Sequence, residues 1–199
     1  MQLSQSIGND EKLIEILKGN GVAVMPTDTI YGLVGKALDE NVVNRIYKIR
    51  KRNPEKPCII LIGEIDELNK FSIALSAEQK EKLKEFWSIS AMADIDPVEP
   101  VSIILDCPDE KFSYLHRGTK TLAFRIPQPE DLRNLLLQMG PLIAPSANLE
   151  GLLPAQSIFE AKKYFGNLVD LYVDGGDIIG KASKIVKLNK NGTVTIIRE

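Results

Sequence analysis

Short apolar runs of strand length and amphipathic stretches of helix length take turns along this chain. That alternation limits the fold more than any other feature. Residues 21–25, 57–62, 101–106, 121–126, 142–144 and 168–173 read as strands. Between them lie helical patterns. The first runs over 7–17, capped by Asn9 or Asp10 and stopped by Gly19-Asn20-Gly21. A second starts at Asp39 and carries Val42, Val43, Ile46 and Ile49 on one face. A third opens on the capping box Ser76-x-x-Gln79 and reaches about Trp87. Residues 129–139 turn Leu132, Leu135, Leu136 and Met139 inward before Gly140, and 157–165 end at Gly166. The tail, IVKLNKNGTVTIIRE, is two alternating runs around Lys190-Asn191-Gly192, which predicts a hairpin. Together these predict an α/β fold: one domain over 1–199, with a twisted, mixed parallel and antiparallel open sheet flanked by helices and a concave site. Residues 88–100, SISAMADIDPVEP, have no clean period and read as a loop or short insertion.

A chain of 199 residues with 44% apolar and 26% charged residues has the composition of a globular domain. Its formal charge of −2 gives no global attraction to nucleic acid or anionic membrane. No apolar run is long enough to span a bilayer, and the N-terminal residues MQLSQSIGNDEK lack the basic and apolar regions of a secretory signal, so a cytoplasmic protein without membrane attachment is expected. Two isolated cysteines, Cys58 and Cys107, sit in apolar surroundings and read as buried thiols. With one histidine they cannot form a zinc site of ordinary spacing, so no metal held by the protein's own ligands is expected.

The polar residues concentrate in a few places. Between Arg45 and Lys56 the net charge is +5, which leaves −7 for the rest of the chain. Arg45 and Lys48 should face solvent, while Arg50, Arg52 and Lys56 lie where a helix gives way to a loop before a strand. Such a cluster suits a small polyanion, and it equally suits a solvated helix C-terminus. Neither a G-x-x-x-x-G-K-[ST] loop nor a G-x-G-x-x-G turn is present, so a bound nucleotide would rely on side-chain cations and hydroxyls. Pro26-Thr27-Asp28-Thr29 ends one strand, and Pro145-Ser146-Ala147-Asn148 follows another; each reads as a turn or as a set of ligand-facing hydroxyls. His116, in YLHRGTK, reads as a loop residue, and no nucleophile–base pair of the protease kind stands out. No single catalytic residue is assigned.

In order along the chain come P-T-D-T-I-Y-G-L, I-Y-K-I-R-K-R-N-P-E-K-P, an Arg in A-F-R-I-P, P-S-A-N, and D-G-G with Ser183 after it. This series resembles the YrdC-like family in its single-domain form, whose members are threonylcarbamoyl-AMP synthases acting in tRNA modification. The resemblance implies a nucleotidyltransferase that joins L-threonine, bicarbonate and ATP into threonylcarbamoyl-adenylate and releases pyrophosphate. It places Arg50, Arg52, Lys56, Ser102, Asn148 and Ser183 on ATP, and Thr27, Thr29, Tyr31, Arg125 and Ser146 on threonine and its carbamate. Magnesium would arrive with ATP. The implied partners are these substrates, a downstream tRNA threonylcarbamoyltransferase machinery, and tRNA through weak contact. Three features depart from the family pattern: the stretch after Phe86-Trp87, Lys184 after Ser183, and Glu150 where a serine is usual. A catalytically degenerate tRNA or double-stranded RNA binder is the alternative, and it would need a broad basic surface.

Overall fold

Side-chain caps fix where the helices begin in the computed structural model, which describes residues 8, 10–87 and 99–199. In chain order the elements are α1 (Glu11–Lys18), β1 (Ala23–Pro26), β2 (Tyr31–Lys36), α2 (Glu40–Arg50), β3 (Ile59–Leu61), α3 (Ala77–Phe86), β4 (Val101–Asp106), α4 (Ser113–His116), β5 (Thr121–Arg125), α5 (Glu130–Met139), β6 (Leu142–Ile143), α6 (Ile158–Phe165), β7 (Leu171–Tyr172), β8 (Lys184–Leu188) and β9 (Val194–Arg198). Asp10 accepts from the Leu13 amide at 3.0 Å, and Asp39 accepts from Asn41 and Val42 at 2.9 and 3.1 Å. Ser76 and Gln79 satisfy each other's amides at 3.0 and 3.2 Å. Caps of this kind are each worth about 1 kcal/mol, because they satisfy amides that no helical carbonyl can reach.

Among the described residues the nine strands form one sheet in the order β7-β1-β2-β6-β3-β5-β4-β8-β9. Pairs β7–β1, β3–β5 and β4–β8 are parallel and the others antiparallel, so the sheet is mixed. Side chains on it alternate between two cores. Val24, Leu33, Ile60, Ile103, Phe124 and Ile143 join the larger core with α2 and α6. Ala23, Met25, Val34, Leu61 and Leu142 pack on the other face against Leu13 and Leu17 of α1 and Leu132, Leu135 and Leu136 of α5.

This second face positions the site. The ladder sets Leu142 opposite Leu61, Leu61 opposite Arg125, Ser102 opposite Ile185, and Ile185 opposite Arg198. The row thus crosses the sheet from leucines under α1 and α5 to a serine and two arginines beyond them. A strand's period of two forces Arg125 onto this face because Phe124 occupies the other.

Several sequence expectations need correction. Strand β2 lay outside the strand pattern: Gly32 and Gly35 interrupt it and both of its faces are buried, so no alternation shows. The strand expected over 168–173 is confined to Leu171–Tyr172, after a 3-10 turn at Gly166–Leu168. His116 is not a loop residue. It closes the short helix α4, is buried, and accepts from the Gly118 amide at 3.1 Å. Arg45 is half-exposed and clamps Asp170 with two bonds of 2.6 and 2.9 Å. Asp10 is the cap of α1; residues 7 and 9 of that helix prediction lie outside the described residues, as does 88–98 of the expected loop. The tail hairpin forms as expected, with Gly192 at φ +78° in its turn. No helix among the described residues is long and apolar enough to cross a membrane.

Candidate active site

The turn between β1 and β2 is closed by one hydroxyl. Thr27 Oγ1 donates to the Ile30 carbonyl at 2.6 Å and accepts from the amides of Thr29 and Ile30 at 3.3 and 3.4 Å. The closed turn presents Asp28 and Thr29 toward the polar end of the row. Arg125 Nη2 donates to Asp28 Oδ1 at 2.8 Å and to Thr29 Oγ1 at 3.3 Å. The side chains of Arg125 and Asp28 are 4% and 2% exposed, so this ion pair is buried. Ser102 and Ser183 share a 2.8 Å hydroxyl contact behind it, and Arg125 Nη1 reaches Ser102 at 3.5 Å. Arg125 Nε and Asp28 Oδ2 have no protein partner. Buried charged atoms left in that state are costly, so this pair has hydrogen-bonding capacity that the protein does not use.

Arg198, from the last strand, holds the Ser183 carbonyl through Nε and Nη2 at 3.2 and 2.6 Å. Burial, and then the nearby Arg125 charge, pulls its guanidinium pKa below the ordinary arginine value. Both effects disfavour positive charge, and an anion between the two arginines would relieve the second.

A second wall comes from the segment after β6. Leu33 donates to the Pro145 carbonyl at 2.9 Å and Ala147 to the Tyr31 carbonyl at 2.8 Å, which lays Pro145–Asn148 along the start of β2. Arg50, the last residue of α2, supports it from behind. Its Nε donates to the Asn148 carbonyl at 3.0 Å, and its Nη2 to Asn148 Oδ1 at 2.9 Å and Ser146 Oγ at 3.2 Å. Arg50 is 2% exposed, and burial pulls its pKa down, with the Arg52 charge adding to the effect. Tyr31 is likewise occupied. Its hydroxyl donates to the Gly176 carbonyl at 2.7 Å and accepts from the Gly175 amide at 2.9 Å, and burial raises its pKa.

The outer rim belongs to the loop after α2. Arg52 is anchored by bonds to the carbonyls of Lys56 (3.1 Å) and Pro57 (2.8 Å), and its Nη1 lies 3.4 Å from Glu150 Oε2. Lys56 Nζ lies 3.1 Å from Glu150 Oε1. The hydrogen bond from Lys56, with the Arg52 charge adding to it, holds the Glu150 carboxyl below its ordinary range.

Floor, wall and rim enclose a cavity of about 350 Å³. Of the residues singled out from sequence, Thr27, Thr29, Tyr31, Arg52, Arg125, Ser146, Asn148 and Ser183 line it. Arg50 stands behind Ser146 and Asn148, Ser102 behind Ser183, and Lys56 reaches the rim through Glu150. Asp28 and Arg198 were missed. Asp28 is the lone acid of the Pro26–Thr29 turn, which made it a natural partner for a cation, while Arg198 reaches the floor only by sheet pairing. The described residues contain no cluster of three or more His, Cys, Asp or Glu that could hold a metal ion. The arrangement offers fixed cations, hydroxyls and a carboxamide around a small concave space, which suits an anionic small molecule.

A family model named for Sua5, YciO and YrdC, and described as telomere recombination, matches residues 15–199. The threonylcarbamoyl-AMP synthase of Pyrococcus abyssi (strain GE5 / Orsay) is 30% identical over 177 residues, which are 88% of this chain and 49% of that protein. The threonylcarbamoyl-AMP synthase of Bacillus subtilis (strain 168) is 30% identical over 174 residues, 84% of this chain and 47% of that one. This chain therefore spans about half the length of these two relatives. The crystal structure of P. abyssi Sua5 complexed with L-threonine superposes with a TM-score of 0.79 at 26% identity, over 96% of this chain and 53% of that one.

Proposed function

The chain belongs to the Sua5–YciO–YrdC family, and on that premise we propose that it is an L-threonylcarbamoyladenylate synthase. The reaction joins L-threonine, bicarbonate and ATP. Threonine's amine bonds to the carbon of bicarbonate and water is lost, giving a carbamate; a carbamate oxygen then bonds to the α-phosphorus, and the bond from that phosphorus to pyrophosphate breaks. Two anions must meet, so fixed cations at both ends lower the barrier, and holding the reactants together supplies a further share.

The observation that carries this reading is that one cavity has a buried guanidinium on its floor and a second on its rim, with hydroxyls between them. Arg125, already beside Thr29 and with an unused Nε, suits the threonine carboxylate. Thr27 and Tyr31 line the same end, where their hydroxyls also hold the turn and the Gly175–Gly176 backbone. Ser146 and Asn148 stand between the two ends. Arg52, Lys56, Ser183 and Arg198 would receive the phosphates, with Arg50 and Ser102 bracing the groups in front of them. Magnesium would enter as part of the nucleotide substrate, coordinated by phosphate oxygens and water. The adenylate would pass to a tRNA threonylcarbamoyltransferase machinery in the cytoplasm, for the adenosine next to the anticodon, and contact with tRNA itself would be weak. The pairing of Arg45 with Asp170, and of Arg52 and Lys56 with Glu150, leaves the basic segment poorly suited to tracking a long polyanion.

The test is pyrophosphate release from ATP by purified protein, with threonine and bicarbonate omitted in turn. Release that needs both is the expected result. Release that ignores threonine would sink the assignment, and salt-sensitive binding of bare tRNA with no turnover would favour the RNA-binding alternative.

A further inference from the structure

One carboxylate meets both rim cations. Glu150 places Oε1 3.1 Å from Lys56 Nζ and Oε2 3.4 Å from Arg52 Nη1. Arg52 does not need Glu150 for its position, because its Nε and Nη2 already hold two backbone carbonyls. The Nη1 edge is what remains, and Glu150 is what it faces. A third positive charge lies close behind. Arg50 is buried, its Nη1 has no partner, and its own carbonyl accepts from the Glu150 amide at 2.9 Å. The carboxylate is therefore tethered to the site it neutralises, and it answers three cations with a single negative charge.

We infer that Glu150 is an internal anion that stands in for substrate phosphate between Arg52 and Lys56 and is exchanged for it when nucleotide binds. The inference rests on the nucleotide reading given above and adds a device that sets affinity. A phosphate group brings more charge and more acceptor oxygens than a carboxylate, so it can take over both cations. The Glu150 side chain is 27% exposed, so a rotation about its own bonds lets it leave toward water. While it stays in place it lowers mutual repulsion among Arg50, Arg52 and Lys56. When it leaves, part of the binding energy goes into breaking its two ion pairs. The empty site is thereby stabilised, and phosphate binds less tightly than the cations alone would allow.

The experiment is calorimetric titration of ATP, inorganic pyrophosphate and L-threonine into the wild type, Glu150→Gln and Glu55→Gln. Glu55 is an exposed acid on the loop that carries Arg52 and Lys56, and it controls for a general change in charge. Glu150→Gln should tighten ATP and pyrophosphate about five- to tenfold, the scale of two ion pairs no longer broken on binding. Its threonine affinity should stay within about twofold, as should every affinity of Glu55→Gln. Thermal melts supply a second readout: without ligand Glu150→Gln should melt below the wild type, yet ATP should raise its melting temperature more. If the wild type binds ATP and Glu150→Gln binds it no better, the internal anion is refuted while the nucleotide reading stands. If neither protein binds ATP or pyrophosphate, the nucleotide reading fails and takes this inference with it.

Discussion

The two ends of the cavity use the same kind of side chain in opposite ways. On the floor, Arg125 comes from the end of a central strand, is buried, and is tied to Asp28, Thr29 and Ser102. At the rim, Arg52 and Lys56 come from a loop and share one half-exposed carboxylate. Strand-borne charge is held by the register of the sheet, so its geometry is as rigid as the core beneath it. Loop-borne charge is held by local carbonyls and one exchangeable partner, so it is easier to move and contributes less to stability. A carboxylate of fixed shape suits the first environment and a flexible polyphosphate chain suits the second.

The sharpest way to break this contrast is to remove the floor cation. Arg125→Ala leaves Asp28 buried without its partner, and unfolding in urea should show a loss of about 3–5 kcal/mol. In the fraction that folds, threonine affinity should fall far more than ATP affinity. Replacing Asp28 by Asn in the same chain should recover part of the stability and none of the threonine affinity, because the buried charge is removed but the guanidinium is not restored. A stability loss below about 1 kcal/mol for the single variant would mean that the pair is not desolvated as described.

Arg50 and Arg52 sharpen the comparison, since a single residue, Lys51, separates them. Arg50→Ala removes three hydrogen bonds from a buried guanidinium to Ser146 and Asn148. It should cost about 2–3 kcal/mol and weaken nucleotide binding through a displaced Ser146–Asn148 segment. Arg52→Ala should cost less than about 1 kcal/mol of stability and yet abolish ATP-dependent turnover. Paired denaturation curves and pyrophosphate-release assays separate the two. Equal stability losses would erase the distinction between a buried brace and a rim ligand.

That distinction also marks how far the sequence could be read. Strand-length patterning located β5 within a residue, and the caps at Asp39 and Ser76 set helix starts within a residue. The motif order gathered eight of the singled-out residues around one cavity. Periodicity failed where its premise failed. In β2 the two glycines and burial on both faces leave no alternation to detect. Arg50 and Arg52 looked alike because both end a basic run. What separates them is contact with residues up to 98 positions away, Asn148 in one case and Glu150 in the other, and no local spacing encodes such contacts. Arg198 was hidden for the same reason, since it reaches Ser183 only through the pairing of the last two strands.

The smallest expected effect concerns the rim alone and follows from the sign of one titration. The hydrogen bond from Lys56 holds the Glu150 carboxyl below its ordinary range in the folded protein, with the Arg52 charge acting in the same direction. In the unfolded chain it returns to about 4.3. A folded value below the unfolded one means that the unfolded state binds the proton more readily, so acid favours unfolding. The stabilisation is fully present above the unfolded value and is lost as pH falls through the folded one. The difference in unfolding free energy between the wild type and Glu150→Gln should therefore be constant from neutrality down to about pH 5 and shrink below it. Chemical denaturation of both proteins at several pH values between about 3 and 7 measures that difference directly. A gap that widens on acidification would reverse the sign and place Glu150 in repulsive surroundings, and added salt should shrink the plateau because the pair is partly exposed.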